Sequence, residues 1–429
     1  MTNTNKTKII NIMPHGSCYH YSPDEKPDYW WEKPDRSWLG FWAREWPGLL
    51  GEAVLGVSDQ YDWEVWQPDF RADKIYTKQL DSGLIYRLFP AKEKIYRRGV
   101  RPQNGFFSKD MVLRLKKIKE TPIILTLYNT YGFHIPFFIE ILKLFGPSKR
   151  FPIFSLGLGM FKSPASELME IHRPLTYLCL LVEFYRQKKL LPYVDIISEM
   201  ADSSLPEIRK VYKGRMEKLI MGCDFEFWVP VPSPELKKSI RNELNIPQEK
   251  TVFFASGNFI PRKQLDKLIE VFRKVSERDD FFLNITGHGD ESNIKLLTSL
   301  AENLVKQKKA AFHSYVKVDE LRKIYWASDV YISVATDEGG PVSVMKAMAC
   351  GLPVLSTPVG NTAEKMMKHG VGKIVSIENY DEWVIAILEI LNKEIPKAID
   401  IKIAEDSYNW PNVAKQYIKI YDDLCKIYF

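Results

Sequence analysis

Between Val252 and Thr357, short apolar segments of the chain alternate with segments of helical periodicity. The apolar segments begin at Val252, Phe281, Ala310, Val330 and Val354. Such alternation predicts parallel strands joined by crossover helices, because each helix returns the chain to the same end of the sheet. This half of the chain is therefore expected to be a doubly wound α/β domain.

The first half of the chain shows the same alternation less regularly. Its first apolar run, Lys8–Met13, ends in Pro14-His15-Gly16, as at the opening of a doubly wound domain. A single hydrophobic core rarely grows beyond about 250–300 residues, and the chain has 429. We therefore expect two Rossmann-like domains, 1–228 together with a returning helix at 411–429, and 229–410. The string FWVPVPSP, from Phe227 to Pro234, is interpreted as the linker between them.

Composition narrows the function classes and the location. A net charge of +6 over 429 residues is mild, so no nucleic-acid partner is expected. The five cysteines are scattered, which gives no zinc or redox motif. The first residues contain no long apolar stretch, which favours a cytoplasmic location. Contact with one face of the cytoplasmic membrane stays open, because the segment Tyr19–Trp46 is rich in tryptophan and tyrosine.

Three loops that follow predicted strands carry the candidate chemistry. In the first, SGNFIPRK, Gly257 and Asn258 precede Arg262 and Lys263 near a helix start, where anions bind. A solvated surface pair explains these cations equally well. The second loop, Gly287-His288-Gly289, allows close approach of a ligand to the backbone but is a weak signal by itself.

The third loop lies within the segment from Thr336 to Glu364. Glu338 precedes Gly339-Gly340, which open a helix, and a carboxylate beside free N–H groups can bind sugar hydroxyls. A second glycine turn, at Gly360, opens another helix. Ordinary α/β turns explain each glycine separately, but they explain the whole ordered segment poorly.

These landmarks together resemble glycosyltransferase family 4. The matching strings are GCDFEFWVP, FASGNFIPRK, TGHG, the block from YWASDVYI to PVLST, TPVGNTAE and the start of the last helix, SYNWPNVAKQY. The resemblance is specific from Val252 onward and only topological before it. It implies the GT-B fold, in which two doubly wound Rossmann-like domains face each other across a cleft and the C-terminal helix crosses back to the first. The first domain would bind the acceptor and the second the donor.

The resemblance also implies a function. The protein would be a retaining, metal-independent hexosyltransferase that moves a sugar from a nucleoside-diphosphate sugar to a glycan, lipid-linked or small-molecule acceptor. The nucleotide sugar would be a substrate, so no cofactor and no metal are expected. The cations would stabilise the departing diphosphate in place of a metal.

Residue roles follow from the matched positions. Glu338, Lys263 and Arg262 would be catalytic. The donor would be bound by Gly257, Asn258, Gly287, His288, Gly289, Gly339, Gly340, Pro341, Val342, Lys346 and Glu364. Glu364 would hold its turn rather than touch the ligand. Gly16 and His134 would lie on the acceptor side.

Several positions depart from the family pattern. Lys346 occupies the place of a glutamate that takes ribose hydroxyls, yet lysine has no acceptor, so it is expected to change how the ribose or a phosphate is held. Asn258 replaces an arginine, whose charge Arg262 could supply. His134 is a candidate for the family's acceptor-side histidine, and a packed or surface histidine is the alternative interpretation. A catalytically impaired relative that serves as a binding or scaffold subunit is the alternative. A dehydrogenase is disfavoured, because Pro14-His15-Gly16-Ser17 is not a Gly-x-Gly-x-x-Gly turn.

Overall fold

The computed structural model describes residues 6–13, 46–69, 72–96, 103–118, 122–128, 151–157, 185, 189, 191–202, 205–289, 291–313, 316–376 and 378–429. The chain divides into two compact units. Unit 1 comprises Met1–Ile220 and Trp410–Phe429, and unit 2 comprises Met221–Asn409. The first boundary thus lies before the proline-rich string, whereas the sequence placed it at residue 228.

The described elements of unit 1 are ten strands and four helices. The strands are β1 Thr7–Ile12, β2 Tyr61–Asp69, β3 Tyr76–Gln79, β4 Ile85–Pro90, β5 Lys92–Tyr96, β6 Gln103–Phe107, β7 Ile123–Tyr128, β8 Ile153–Leu156, β9 Ile196–Glu199 and β10 Arg215–Lys218. The helices are α1 Trp46–Val57, α2 Lys109–Lys117, α3 Leu205–Arg209 and α12 Trp410–Tyr428. The sequence also predicts helices at Pro136–Leu144 and Arg173–Lys188. These two segments lie largely outside the residues that the structure describes.

Eight of these strands form the sheet of unit 1, in the order β10-β9-β8-β7-β1-β2-β4-β3. The pairs are parallel except for β3 with β4, which is antiparallel. A separate antiparallel hairpin joins β5 and β6. The strand order reverses between β1 and β7, where a doubly wound sheet opens its binding crevice.

The last helix of the chain, α12, completes the core of unit 1. Its apolar face packs on the sheet, where Tyr421 contacts Trp63 and Phe154 at ring-centroid distances of 6.0 and 5.9 Å. Polar contacts fix its position as well. The hydroxyl of Tyr61 donates to Asp422, and Tyr417 donates to the Ile220 carbonyl at 3.3 Å. Helix α12 is therefore part of this unit although unit 2 precedes it in the sequence.

A buried ionic cluster lies on β2 of the same sheet. The Glu64 carboxylate accepts hydrogen bonds from Lys8 at 2.9 Å, from the Trp66 indole at 2.7 Å and from Arg87 at 2.7 Å. Burial by itself would raise the pKa of Glu64, but the bonds from Arg87, Trp66 and Lys8 outweigh it and lower the pKa to about 2. Glu64 is therefore a structural carboxylate that stays ionised.

Unit 2 has six strands and eight helices among its described residues. The strands are β11 Thr251–Ser256, β12 Phe281–Thr286, β13 Ala310–His313, β14 Val330–Ser333, β15 Val354–Ser356 and β16 Lys373–Ile374. The helices are α4 Pro234–Glu243, α5 Leu265–Lys274, α6 Glu291–Lys306, α7 Val318–Ala327, α8 Val342–Ala349, α9 Gly360–His369, α10 Tyr380–Leu391 and α11 Ile401–Tyr408.

The strands of unit 2 form one parallel sheet in the order β13-β12-β11-β14-β15-β16. One face carries Phe253, Leu283 and Val330 and packs on α5, α6 and α10. On the opposite face, Phe254 contacts Tyr325 of α7 at a ring-centroid distance of 4.9 Å. The expectation of a second doubly wound α/β domain is therefore confirmed.

The helical periodicity of the sequence predicts one helix over Pro261–Ser276, and the structure corrects this prediction. A short 3-10 turn spans Pro261–Lys263, and α5 begins only at Leu265. Gln264 between them has a positive φ of 46°, a left-handed conformation that interrupts the helix. Arg262 and Lys263 are therefore held in a tight turn before the helix and not in its first turn.

The structure also corrects the linker assigned to the proline-rich string. We call residues 222–230 the boundary segment. The Trp326 indole donates to the Val229 carbonyl at 2.7 Å, and the Arg322 guanidinium lies 4.1 Å from the centre of the Phe227 ring. The backbone N–H of Cys223 donates to the Tyr408 carbonyl at 2.7 Å. The segment is thus bound to unit 2 by side chains that lie far away in the sequence.

No helix in the described part of the chain is long and apolar enough to cross a membrane.

Candidate functional site

The candidate site lies where the strand order of unit 2 reverses. Strands β12 and β13 follow on one side of β11, and β15 and β16 lie beyond β14 on the other. Because β11 and β14 are parallel neighbours, the loops after them start at the same edge and diverge. The loop after β11 carries Arg262 and Lys263, and the loop after β14 carries Glu338. The topology therefore brings together the three residues predicted to be catalytic.

Both cations pair with the same carboxylate oxygen. Lys263 Nζ contacts Glu338 Oε1, and Arg262 Nη1 lies 3.0 Å from the same atom. Glu338 is buried, with a side-chain exposure of 10%, while Lys263 and Arg262 keep 16% and 26%. The cluster carries one excess positive charge in a half-buried setting, where charges are screened less than at an open surface.

Arg262 makes further contacts to the loop that carries Glu338. Its main-chain carbonyl accepts hydrogen bonds from the N–H of Thr336 at 3.0 Å and from the Thr336 hydroxyl at 3.3 Å. Its guanidinium donates to the carbonyl of Asp337. No role was predicted for the individual residues Thr336 and Asp337, because these bonds join segments about 75 residues apart.

Two helices begin beside the cluster without a capping side chain. Pro341 precedes α8 and Val359 precedes α9, and neither supplies a side-chain cap. The N–H of Asn361 in the first turn of α9 donates to the carbonyl of Gly339 at 3.0 Å. Gly360 has a φ of 76°, and a Cβ there would lie 3.0 Å from the Glu338 carbonyl. The positive ends of both helices therefore meet at the loop that contains Glu338.

Two buried tyrosines form hydrogen bonds to the segments next to this loop. The Tyr325 hydroxyl donates to the carbonyl of Ser343 in the first turn of α8, at 2.9 Å. The Tyr331 hydroxyl lies 3.0 Å from that of Ser256, the last residue of β11. Burial raises the pKa of both tyrosines, so they remain neutral phenols that keep donating.

The glycines of the second loop serve the packing of the protein itself. A Cβ on Gly287 would lie 1.9 Å from the carbonyl oxygen of Gly257, and one on Gly289 would lie 2.6 Å from Cβ of Phe259. The N–H of Phe259 donates to the carbonyl of the exposed His288 at 2.6 Å. From the sequence, these glycines are predicted to let a ligand approach the backbone. Their described neighbours are instead residues of the loop after β11.

Replacing Gly287 with alanine should therefore displace the loop that carries Arg262 and Lys263. Overpacking of this kind costs about 1–3 kcal/mol, which should appear as a lower free energy of unfolding in urea. Gly56→Ala is the matched control, because no described atom lies within 4 Å of a Cβ at that helical position. That control should be neutral or stabilising by about 0.5–1 kcal/mol. Equal stability of Gly287→Ala and wild type would contradict the expected clash.

Lys346, which lies on α8, contacts a residue of the boundary segment in the described structure. Its ammonium group lies 4.7 Å from the centre of the Trp228 ring, and Trp228 also packs edge-on against Tyr325. Such a cation–π contact contributes about 0.5–2 kcal/mol depending on burial. The structure thus brings Lys346 to the boundary segment, and its expected role toward the nucleotide stays a prediction.

The remaining predicted residues differ in what the structure describes. Asn258 is exposed beside the cluster. Glu364 lies one turn into α9, near Tyr408, whose pKa is raised by burial and secondarily by the Glu364 charge. Its expected role in holding the turn stays a prediction. Gly16 and His134, predicted for the acceptor side, follow β1 and β7 but lie outside the described residues. Within the described part of the chain, no three His, Cys, Asp or Glu residues group as a metal site.

Comparison with known proteins shows a family to which this part of the chain is similar. Residues 237–406 match the family model described as glycosyl transferases group 1, and this range contains the whole cluster around Glu338. This part of the chain is similar to group 1 glycosyltransferases.

Two relatives illustrate how far this similarity extends. An uncharacterized glycosyltransferase of Methanocaldococcus jannaschii is 28% identical over 44% of this chain and 48% of its own length. A Corynebacterium glutamicum protein is 25% identical over 49% of this chain and 56% of its own, and its name is GDP-mannose-dependent monoacylated alpha-(1-6)-phosphatidylinositol monomannoside mannosyltransferase. The chain therefore spans about half the length of these relatives.

A solved structure extends the likeness to the whole chain. Anabaena HepE in complex with UDP has a TM-score of 0.64 and 14% identity, and the match covers 97% of this chain and all of that one. At this identity the likeness shows the fold alone. The GT-B fold class expected from the sequence is thereby confirmed, and the segment that matches the family model lies in the unit with the second parallel sheet.

Proposed function

We propose that this protein is a retaining glycosyltransferase that moves a hexose-like sugar from a nucleoside-diphosphate sugar to a glycan, lipid-linked or small-molecule acceptor. One observation carries the proposal. Lys263 and Arg262 meet Glu338 at the joined N-terminal ends of α8 and α9, within the segment that matches the group 1 glycosyltransferase model. Cations and helix N-termini favour a diphosphate, and a carboxylate accepts hydrogen bonds from sugar hydroxyls.

The chemistry of the cluster suggests how the donor is bound. The diphosphate competes with Glu338 for the ammonium of Lys263, so that Lys263 neutralises the negative charge that develops on the leaving group. The Glu338 carboxylate is then available to accept from the hydroxyls of the donor sugar. The backbone N–H groups from Gly339 to Val342 complete the site, and the reaction requires no metal or cofactor.

The proposal extends to acceptor and location. Unit 1 binds the acceptor, and Gly16 and His134, which follow β1 and β7 in the sequence, contact it. One relative is named for a lipid-linked substrate, which supports a cytoplasmic protein that contacts one membrane face. The names of the relatives and structures contain both GDP and UDP, so either base is a candidate.

Isothermal titration with UDP, GDP, ADP and the corresponding monophosphates, in buffer with EDTA, tests the donor. At least one nucleoside diphosphate should bind, and its monophosphate should bind more weakly. One charge-assisted hydrogen bond is worth about 1.5–3 kcal/mol, so the difference should be roughly 10- to 100-fold in Kd. Lys274→Gln, which removes an exposed cation paired with Asp381, should leave the affinity unchanged. Folded protein that binds none of these nucleotides would exclude the proposal.

A catalytically impaired scaffold subunit is the second candidate. The contact between Lys346 and Trp228 favours it, because a residue at a donor-side position is engaged with the protein instead. This candidate would be excluded if the protein releases sugar from UDP- or GDP-sugars faster than buffer alone does, and if the Glu338→Ala variant loses this activity. Binding of nucleotide without any transfer or hydrolysis would support it.

A further inference from the structure

The two cations of the cluster have different surroundings. We propose that Arg262 is a positioning residue that holds the loop of Glu338 in place, whereas Lys263 is the cation that meets the diphosphate. This inference rests on the proposed function and assigns separate tasks to two adjacent charges. The sequence had grouped both as catalytic.

The bonds of Arg262 reach three consecutive residues of the opposite loop. Its carbonyl accepts from the N–H and hydroxyl of Thr336, and its guanidinium donates to the carbonyl of Asp337 and pairs with Glu338 at 3.0 Å. A main-chain bond and a side-chain bond from one residue therefore fix the loop after β14 to the turn after β11. Rotation of the loop around Glu338 would have to break both.

Lys263 is held by fewer groups. Its ammonium pairs with Glu338, and its stem lies beside Gly257, where a Cβ would come within 3.1 Å of Lys263 Cε. Glycine at position 257 thus leaves room for this side chain. When Lys263 turns to a ligand phosphate it gives up one ion pair, and Arg262 can continue to hold the carboxylate.

Arg262 would lose more by the same movement. Its Nη1 atom serves the carbonyl of Asp337 as well as Glu338, so a turn toward a phosphate would leave a half-buried carbonyl without that donor. The planar guanidinium suits such a fixed arrangement of two oxygens, whereas a lysine ammonium is a flexible point charge. The geometry therefore favours Arg262 as the residue that holds the loop of Glu338 in place and Lys263 as the cation that turns to the phosphate.

The test compares Arg262→Gln, Arg262→Lys and Lys263→Gln in the full chain. Titration with UDP and GDP gives Kd, and steady-state transfer gives kcat and KM for the donor. Lys263→Gln should weaken binding of the nucleoside diphosphate about tenfold or more. Arg262→Gln should leave that Kd within about threefold of wild type while kcat falls about tenfold or more. Arg262→Lys should resemble Arg262→Gln, because lysine keeps the positive charge but lacks the planar guanidinium that can bond two oxygens at once.

A second variant covers the case that Arg262→Gln does not fold. Thr336→Val removes one hydroxyl contact to the Arg262 carbonyl and should lower kcat without changing Kd. Arg278→Gln, a surface cation paired with Asp280, is the control and should change neither constant.

Three outcomes would overturn the inference. Arg262→Gln could weaken nucleotide binding as much as Lys263→Gln, or Arg262→Lys could keep the wild-type kcat, and in either case Arg262 serves the ligand by its charge. Wild-type protein that binds no nucleoside diphosphate would overturn the proposed function and this assignment together.

Discussion

Replacing Glu338 with alanine should lower the rate of sugar transfer by roughly 10²- to 10³-fold, the effect typical for one lost group that stabilises a transition state. The affinity for nucleoside diphosphate should stay the same or increase. This opposite behaviour follows from the structure, because Glu338 is the carboxylate that pairs with Lys263 and Arg262. Its removal frees Lys263 for a phosphate, while Arg262 keeps its bond to the carbonyl of Asp337. Titration and steady-state kinetics on the same preparation measure the two effects.

Glu243→Ala provides the matched control for this variant. Glu243 is also a carboxylate of unit 2 paired with a lysine, Lys323, but it lies on α4 and is half exposed. Its removal should change neither transfer nor binding. A Glu338→Ala protein that loses nucleotide affinity and keeps its rate would contradict the role given to this carboxylate, since the residue would then belong to the diphosphate site alone.

Replacing Glu64 with glutamine should destabilise unit 1 by about 3 kcal/mol. The change leaves the cations of Lys8 and Arg87 in a half-buried position without their carboxylate, and breaking a buried pair costs about 3–5 kcal/mol. The shift in pKa from 4.5 to about 2 gives a similar figure, at 1.36 kcal/mol per unit. Urea denaturation followed by circular dichroism measures the loss.

The same substitution should change the response of unit 1 to acid. A lowered pKa means that Glu64 contributes its full stability above pH 4.5 and loses it as the pH falls toward about 2. The difference in unfolding free energy between wild type and Glu64→Gln should therefore shrink across this window. Glu217→Gln is the control, because Glu217 forms an exposed pair with Arg215 that is worth about 0–1 kcal/mol. A difference that stays constant with pH would contradict the assigned ionisation.

The sequence was a good guide where the structure depends on local periodicity. The strands and most helices of unit 2 follow apolar runs that are readable one by one. Lys263 and Glu338 could also be predicted as site residues, because both lie in loops directly after such apolar runs. Once the strands are parallel, the loops after neighbouring strands start at the same edge of the sheet, and the cluster follows from topology.

What the sequence could not show depends on contacts between distant segments. The bond from Arg262 to Asp337 spans 75 positions, and the ammonium of Lys346 meets a tryptophan of the boundary segment. Prolines 230, 232 and 234 suggested a linker, because local composition does not reveal that Trp326 and Arg322 bind this segment. Gln264 likewise gives no local sign that it interrupts the helix expected at Pro261–Ser276.

The position of α12 has a consequence for the order in which the chain acquires its structure. Unit 2 is one continuous stretch, so all of it has been synthesised before Trp410 is added. Most of unit 1 precedes unit 2, yet part of the surface around Trp63 and Phe154 is covered by α12. Domains usually fold as units from the N-terminus during synthesis. Here unit 1 can be completed only after unit 2 has been synthesised, because α12 follows unit 2 in the chain.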